Sequence, residues 1–138
     1  MKETVKAMVF GTFDNIHLGH MNLITQAKRY ANYIIAVVAR DDTVEKIKGR
    51  TPKNNEKVRL EHVRTIKAVD KVVLGNLSDY YGVIEEYNPN YICLGYDQES
   101  SITKNIEEEL KKRYLKAKVI RLRSYRPDLY KSSKVKDL

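Results

Sequence analysis

Two histidines separated by two residues, His17 and His20, carry the most specific chemistry in the chain. They lie in the segment Gly11-Thr12-Phe13-Asp14-Asn15-Ile16-His17-Leu18-Gly19-His20. Side chains three apart share one face of a helix, so both rings can meet one ligand. Beside a polyphosphate, two imidazoles donate hydrogen bonds to oxygens whose negative charge grows during phosphoryl transfer. That is electrostatic stabilisation of a transition state, and it needs no covalent intermediate. Gly11 and Gly19 let backbone approach such a ligand where a side chain would block it. Two plainer readings compete. Histidines at this spacing can share a zinc ion, but the interposed Glu of a zinc-protease helix is absent and His62 falls on a different helix. They can also be polar residues on a solvated helix end, a reading that the surrounding order of elements weighs against.

That order is strand, glycine-bounded loop, helix. Thr4–Phe10 reads as a first strand and Leu18–Ala31 as a helix with apolar residues at 21, 23, 24, 27 and 31. Tyr33–Ala39 is almost wholly apolar, the pattern of a strand buried on both faces of a parallel sheet. Asp41–Ile47 forms a short helix, and a basic, turn-prone stretch broken by Gly49 and Pro52 follows. Helices over Glu56–Lys67, Asp79–Tyr87 (stopped by Pro89) and Ser101–Leu115 alternate with strands over Lys71–Leu74, Tyr91–Leu94 and Ala117–Leu122. Ser132 and Ser133 look like the cap of a short C-terminal helix. Strands alternating with helices predict an α/β fold with a parallel five-stranded sheet, right-handed crossovers and helices on both faces. In such a sheet ligands bind beyond the C-terminal strand ends, where the strand order reverses. A helix start there offers unpaired N–H groups and positive dipole charge to a phosphate.

Composition bounds the rest. The 138 residues suit one domain, taken as 1–138, with 42% hydrophobic and 32% charged residues. No apolar run approaches the ~20 residues that span a bilayer, and no signal-peptide core opens the chain, so a cytoplasmic address and no membrane partner are expected. The single Cys93 precludes an internal disulfide and a multi-cysteine zinc site. A net charge of +8 invites nucleic acid, but it is spread from Lys2 to Lys136 without an aromatic-rich RNA-binding signature or a recognition helix. No nucleic-acid partner is expected.

GTFDNIHLGH resembles the signature of the cytidylyltransferase-like nucleotidyltransferases, whose HxGH motif is related to that of class I aminoacyl-tRNA synthetases, and the resemblance runs from Val5 to Val135. It implies a single Rossmann-like domain with strand order 3-2-1-4-5. It also implies a nucleoside triphosphate donor, a phosphorylated acceptor, pyrophosphate as the leaving group, and a divalent cation, usually magnesium, with no metal site assigned to particular residues. A homodimer is common in the family. Carried over residue by residue, the motif makes His17 and His20 catalytic and places Gly11, Thr12, Phe13, His17, Leu18, Gly19 and His20 on the nucleotide. Asp14 positions substrate or metal.

The run after the second strand, ARDDTVEKIKGR, supplies a phosphate-binding lysine in the family. Lys46 is taken as the catalytic match, with Lys48 and Arg50 on substrate or phosphate; a solvated basic loop is the plain alternative. Arg59 matches a family arginine directed at substrate, against a surface helix arginine. In the LGYDQ stretch, Gly95 permits close approach and Asp97 can accept hydrogen bonds from ribose or base, though both are ordinary turn residues. Ser132 and Ser133 resemble the family's C-terminal phosphate-binding motif, and Tyr125 precedes them on a loop that could close over the adenine.

Within the family, LGYDQ, ARDDTVEKIKGR and the Ser-Ser ending look most like archaeal FAD synthases. That resemblance implies ATP and FMN as substrates. Glycerol-3-phosphate cytidylyltransferases, which take CTP, usually carry a tryptophan after the fourth strand and an RTxGISTT-like ending; this chain has no tryptophan, and Ser-Tyr-Arg-Pro precedes its serines. A sugar-phosphate adenylyltransferase of the lipopolysaccharide-core type is a third possibility. Two readings from other classes, a nucleotide-binding module without catalysis and a nucleic-acid-binding protein, predict a damaged motif and salt-dependent oligonucleotide binding respectively.

Overall fold

The computed structural model of the chain describes residues 3–95 and 101–122. Five strands, β1 (Lys6–Gly11), β2 (Tyr33–Val38), β3 (Lys71–Leu74), β4 (Tyr91–Leu94) and β5 (Lys118–Arg121), form one sheet in the order β3-β2-β1-β4-β5. Every adjacent pair is parallel. The helices are α1 (Leu18–Ala27), α2 (Asp41–Lys48), α3 (Glu56–Arg64), α4 (Gly82–Tyr87), α5 (Ser101–Lys104) and α6 (Ile106–Lys112).

Alternation along the strands builds two cores. Ala7, Val9, Ala36 and Cys93 face α1 and α3, where they meet Leu23, Ile24, Ala27 and Val63. Met8, Ile35, Val37 and Ile92 face the other way, against Val83 and Ile84 of α4 and Ile106 and Leu110 of α6. The sheet is therefore doubly wound, which explains why its central strands read as unbroken apolar runs. Each large aliphatic side chain removed from water here contributes about 1.5–3 kcal/mol. Cys93 is fully buried, and burial alone pushes its thiol up to about 11, so it serves as a small apolar side chain. No helix among the described residues is long and apolar enough to cross a membrane.

Several boundaries differ from the sequence pattern. Helix α1 stops at Ala27 rather than Ala31: Arg29 and Tyr30 donate to the carbonyls three residues back, tightening the turn. Ala31 is apolar because it packs in the core beyond the helix. The helix over Ser101–Leu115 is broken at Asn105, whose backbone leaves the helical region at ψ 5°, and it ends at Lys112. Helix α4 starts at Gly82, because the Asp79 carboxylate takes Arg113 and the Tyr81 N–H instead of continuing a helix. Helix α3 ends at Arg64, where the Thr65 hydroxyl donates to the His62 carbonyl. The helix expected after Ser132 lies outside the described residues.

Candidate active site

The loop between β1 and α1 is built around a reciprocal cap. His17 is the N-cap of α1, and its Nδ1 accepts the Gly19 N–H at 3.0 Å. His20 at the third helical position answers, its Nδ1 accepting the His17 N–H at 3.2 Å. Two imidazoles thus play the parts that Ser or Thr and Glu take in the usual capping box. Their rings stack at 3.9 Å with 22° between planes, and Phe13 closes on His20 at 5.0 Å between centroids.

This cap decides the tautomer. Because Nδ1 accepts in each ring, a neutral imidazole carries its proton on Nε2. His20 is only 1% exposed, and burial, followed by the charges of His17 and Lys48, pushes its pKa down to about 3. It is therefore neutral at physiological pH and offers Nε2–H as a donor. That atom is buried with no hydrogen-bond partner among the described residues. An unsatisfied buried donor costs about 1–3 kcal/mol. A phosphate oxygen would satisfy it.

Phe13 takes φ 56°, the left-handed region that side chains avoid, and its ring is fully buried. Such a conformation costs on the order of 1–3 kcal/mol and persists only where the surroundings enforce it. Thr12 and Asp14 on either side do so. The Thr12 carbonyl accepts Arg59 Nη1 at 2.8 Å, and the Asp14 carboxylate accepts the N–H groups of Lys53 and Asn54 at 2.7 and 2.8 Å. Burial would raise the Asp14 carboxyl, but the backbone N–H groups of Asn54 and Lys53, the Asn54 amide and the Arg59 charge together hold it low. Asp14, expected to position substrate or metal, pins the 53–54 loop through these bonds. No group of three or more His, Cys, Asp or Glu among the described residues comes together to hold an ion.

Of the two lysines, the structure brings Lys48 towards the histidines. Lys48 follows buried Val44 by one helical turn, is half-buried, and its charge is felt at His20. Lys46, taken from the sequence as the catalytic one, stands half a turn round α2 and is exposed. Arg50 is exposed beyond the left-handed C-cap Gly49. Arg59 is neither directed at substrate nor on the surface. It is 0% exposed and its guanidinium is bonded throughout to protein. The signal was present, since Arg59 lies one turn before buried Val63 on the inward face of α3.

Sequence reasoning missed Asn54, whose side-chain amide donates to the Asp14 carbonyl and carboxylate. It also missed Glu56, whose carboxylate accepts the Asp41 N–H at 2.9 Å and Arg40 Nη1 at 2.9 Å. Glu56 had a faint signal, an acidic residue opening a helix behind the N-cap Asn55.

Across the reversal of strand order, Val9 pairs with Cys93. Continuing that register sets Gly95 beside Gly11, bare backbone on both sides of the gap between β1 and β4. Leu18 opens α1 and is 61% exposed, and Gly19 is half-buried behind it. Asp97, Tyr125, Ser132 and Ser133 lie outside the described residues.

The family model for cytidylyltransferase-like proteins matches residues 8–138. The chain belongs to the cytidylyltransferase-like family. Among its relatives, a protein of Aciduliprofundum boonei named FAD synthase is 43% identical over 121 residues, covering 88% of this chain and 80% of the relative. A second FAD synthase, from Thermococcus sibiricus, is 37% identical over 136 residues, covering 97% and 91%. Among solved structures, a lipopolysaccharide core biosynthesis protein of Thermoplasma volcanium superposes with a TM-score of 0.82 at 31% identity, over 89% of this chain and 99% of that one. A pantoate-beta-alanine ligase of Francisella tularensis, at 14% identity and a TM-score of 0.63 over 91% and 61%, shares the fold alone. In this cytidylyltransferase-like protein the HxGH histidines stand at the first crossover of the sheet, between β1 and the start of α1.

Proposed function

We propose that this chain is an FAD synthase: it transfers AMP from ATP to FMN, giving FAD and pyrophosphate. An FMN phosphate oxygen forms the new bond to the α-phosphorus in line as the bond to the β-phosphate oxygen breaks. The observation that carries the reading is the buried, unsatisfied Nε2–H of His20 at the mouth of α1, in a chain 37–43% identical to two proteins named FAD synthase. A neutral donor held by its own helix cap meets growing negative charge without first losing a proton. His17 serves as the second donor, and Lys48 brings positive charge to the same phosphates. FMN is already ionised as a phosphate monoester, so little general-base help is required. Magnesium is proposed to arrive bound to the ATP phosphates, and the homodimer common in the family is proposed for this chain.

A second reading has one observation in its favour, the structural match to a lipopolysaccharide core biosynthesis protein. It would make the acceptor a sugar phosphate. Incubating the protein with ATP and FMN, with ATP and a sugar phosphate, and with CTP and glycerol 3-phosphate, then following pyrophosphate, separates these. FAD should form in the first mixture. Turnover confined to either of the others would overturn the flavin assignment.

A further inference from the structure

Arg59, itself fully buried, makes four hydrogen bonds beside the histidine loop. Nε donates to the Asn54 carbonyl at 2.9 Å, Nη1 to the carbonyls of Thr12 and Ala39, each at 2.8 Å, and Nη2 to Asp41 Oδ1 at 2.6 Å. Thr12 precedes the left-handed Phe13 and leads into the histidine cap. Ala39 and Asp41 are the corner from which α2 departs towards Lys48. One planar group therefore ties the histidine loop to the root of the lysine-bearing helix. Glu56, one turn earlier on α3, grips the same corner through the Asp41 N–H.

We propose that Arg59 is a positioning residue: its guanidinium, bonded at once to Thr12, Ala39 and Asp41, holds the His17–His20 pair and helix α2 at one fixed separation. Stability alone does not call for a buried charge here, since well-packed apolar residues commonly replace buried ion pairs at no loss. A guanidinium is called for by geometry, because only a rigid fork reaches four acceptors in different directions. Lysine keeps the charge but has one nitrogen and cannot span them. Misplacing a catalytic group by about 1 Å can lower a rate by about 100-fold. The separation that Arg59 fixes is the one a triphosphate has to bridge.

The inference rests on the adenylyl-transfer reading, and its test keeps the two apart. Arg59→Lys, Asp41→Ala, Asp41→Asn, the double variant Arg59→Lys/Asp41→Ala and, as control, Glu61→Gln on the exposed face of α3 are compared well below their melting temperatures. The measurements are kcat, KM for ATP, and ATP affinity by calorimetry. Arg59→Lys should lower kcat by about 100-fold and Asp41→Ala by about tenfold, both with weaker ATP binding. Asp41→Asn, which keeps an acceptor at Oδ1, should recover most of the loss. The double variant should be no worse than Arg59→Lys, because the two residues act through one link. Wild-type kcat and ATP affinity in Asp41→Ala, or additive losses in the double variant, would overturn the proposal. A wild-type protein without FMN turnover would overturn the functional reading instead. The clamp would then be judged on ATP affinity alone, and unchanged binding by Asp41→Ala would sink it.

Discussion

The two ends of the sheet solve the same problem differently. At the N-terminal end, strand starts are stitched by short polar side chains. Asn32 Oδ1 accepts the Val5 N–H, Asn90 Oδ1 the Lys6 N–H and Asp70 Oδ2 the Ile34 N–H, at 2.8, 2.8 and 2.7 Å. Each carboxyl or amide comes from the connection that enters the sheet beside that strand, and each of the three residues returns its own N–H to the partner strand. At the C-terminal end nothing is so tidy. Phe13 is held in a left-handed conformation, Arg59 is buried with its charge, and His20 keeps a donor without a partner. The first end is satisfied by itself, and the second keeps a buried donor that a ligand oxygen would satisfy. Stability and reactivity are thereby assigned to opposite edges of one sheet.

The largest effect should come from breaking the reactive edge at its centre. His20→Ala should lower kcat for FAD formation by about 10²–10³-fold, the loss typical of one transition-state donor. His17→Asn sharpens the test, because Asn is among the best N-cap residues but has no Nε2. It should keep the melting temperature within a few degrees while lowering kcat by at least about tenfold. An active His17→Asn enzyme would reduce His17 to a cap.

Acid should expose the same edge thermodynamically. Below pH 6.5 the unfolded chain protonates His20, whereas the folded chain does not until about pH 3. The unfolded state therefore binds the extra proton, and stability falls with falling pH across that window, by up to about 1.4 kcal/mol per unit. The low-held Asp14 carboxyl adds a loss in the same direction as the pH passes down through the carboxylate range. Chemical denaturation at pH 7 and pH 5 should show a shallower fall in His20→Gln than in the wild type.

Smaller effects are expected at the other edge. Asp70→Ala should destabilise by about 1–3 kcal/mol, through a backbone N–H left without its acceptor, while kcat at 25 °C stays unchanged. A tenfold drop in kcat would erase the division between the edges. Smallest of all, Tyr114→Gly should stabilise. Tyr114 sits past the end of α6 at φ 57° and is 92% exposed, so its side chain has strain and little packing. Glycine at such a helix end commonly adds a few tenths to about 1 kcal/mol. Measuring both melting temperature and kcat would set this strain, which serves no ligand, beside that of Phe13.

Much of this arrangement was legible in the sequence because it is local or periodic. The strand cores follow from runs such as Tyr33–Ala39, the doubly wound sheet from the alternation of elements, and the placing of two histidines at a helix start from ten consecutive residues. What stayed hidden depends on contacts across the chain. Asp14 meets Lys53 and Asn54, far along the sequence, and a motif carboxylate that pins a distant loop looks identical on paper to one that does not. Arg59 read as substrate-facing or exposed because arginine so often is, although its spacing to Val63 placed it inward. Lys46 and Lys48 differ only in which side of α2 they occupy, a distinction that counting from Val44 would have drawn. The breaks at Ala27 and Asn105 reflect marginal helix ends, where one side-chain or turn bond outweighs propensity.

Cys93 gives the molecule a built-in reporter. The lone thiol lies in β4 against Val9 of β1, sealed from solvent on the line where the two halves of the sheet meet. Its side chain lies under α1 and α3, so a thiol-reactive dye can mark it only after that helical layer has lifted from the sheet. Labelling kinetics therefore time the opening of that layer, and a ligand that stiffens the β1–α1 connection should slow the clock.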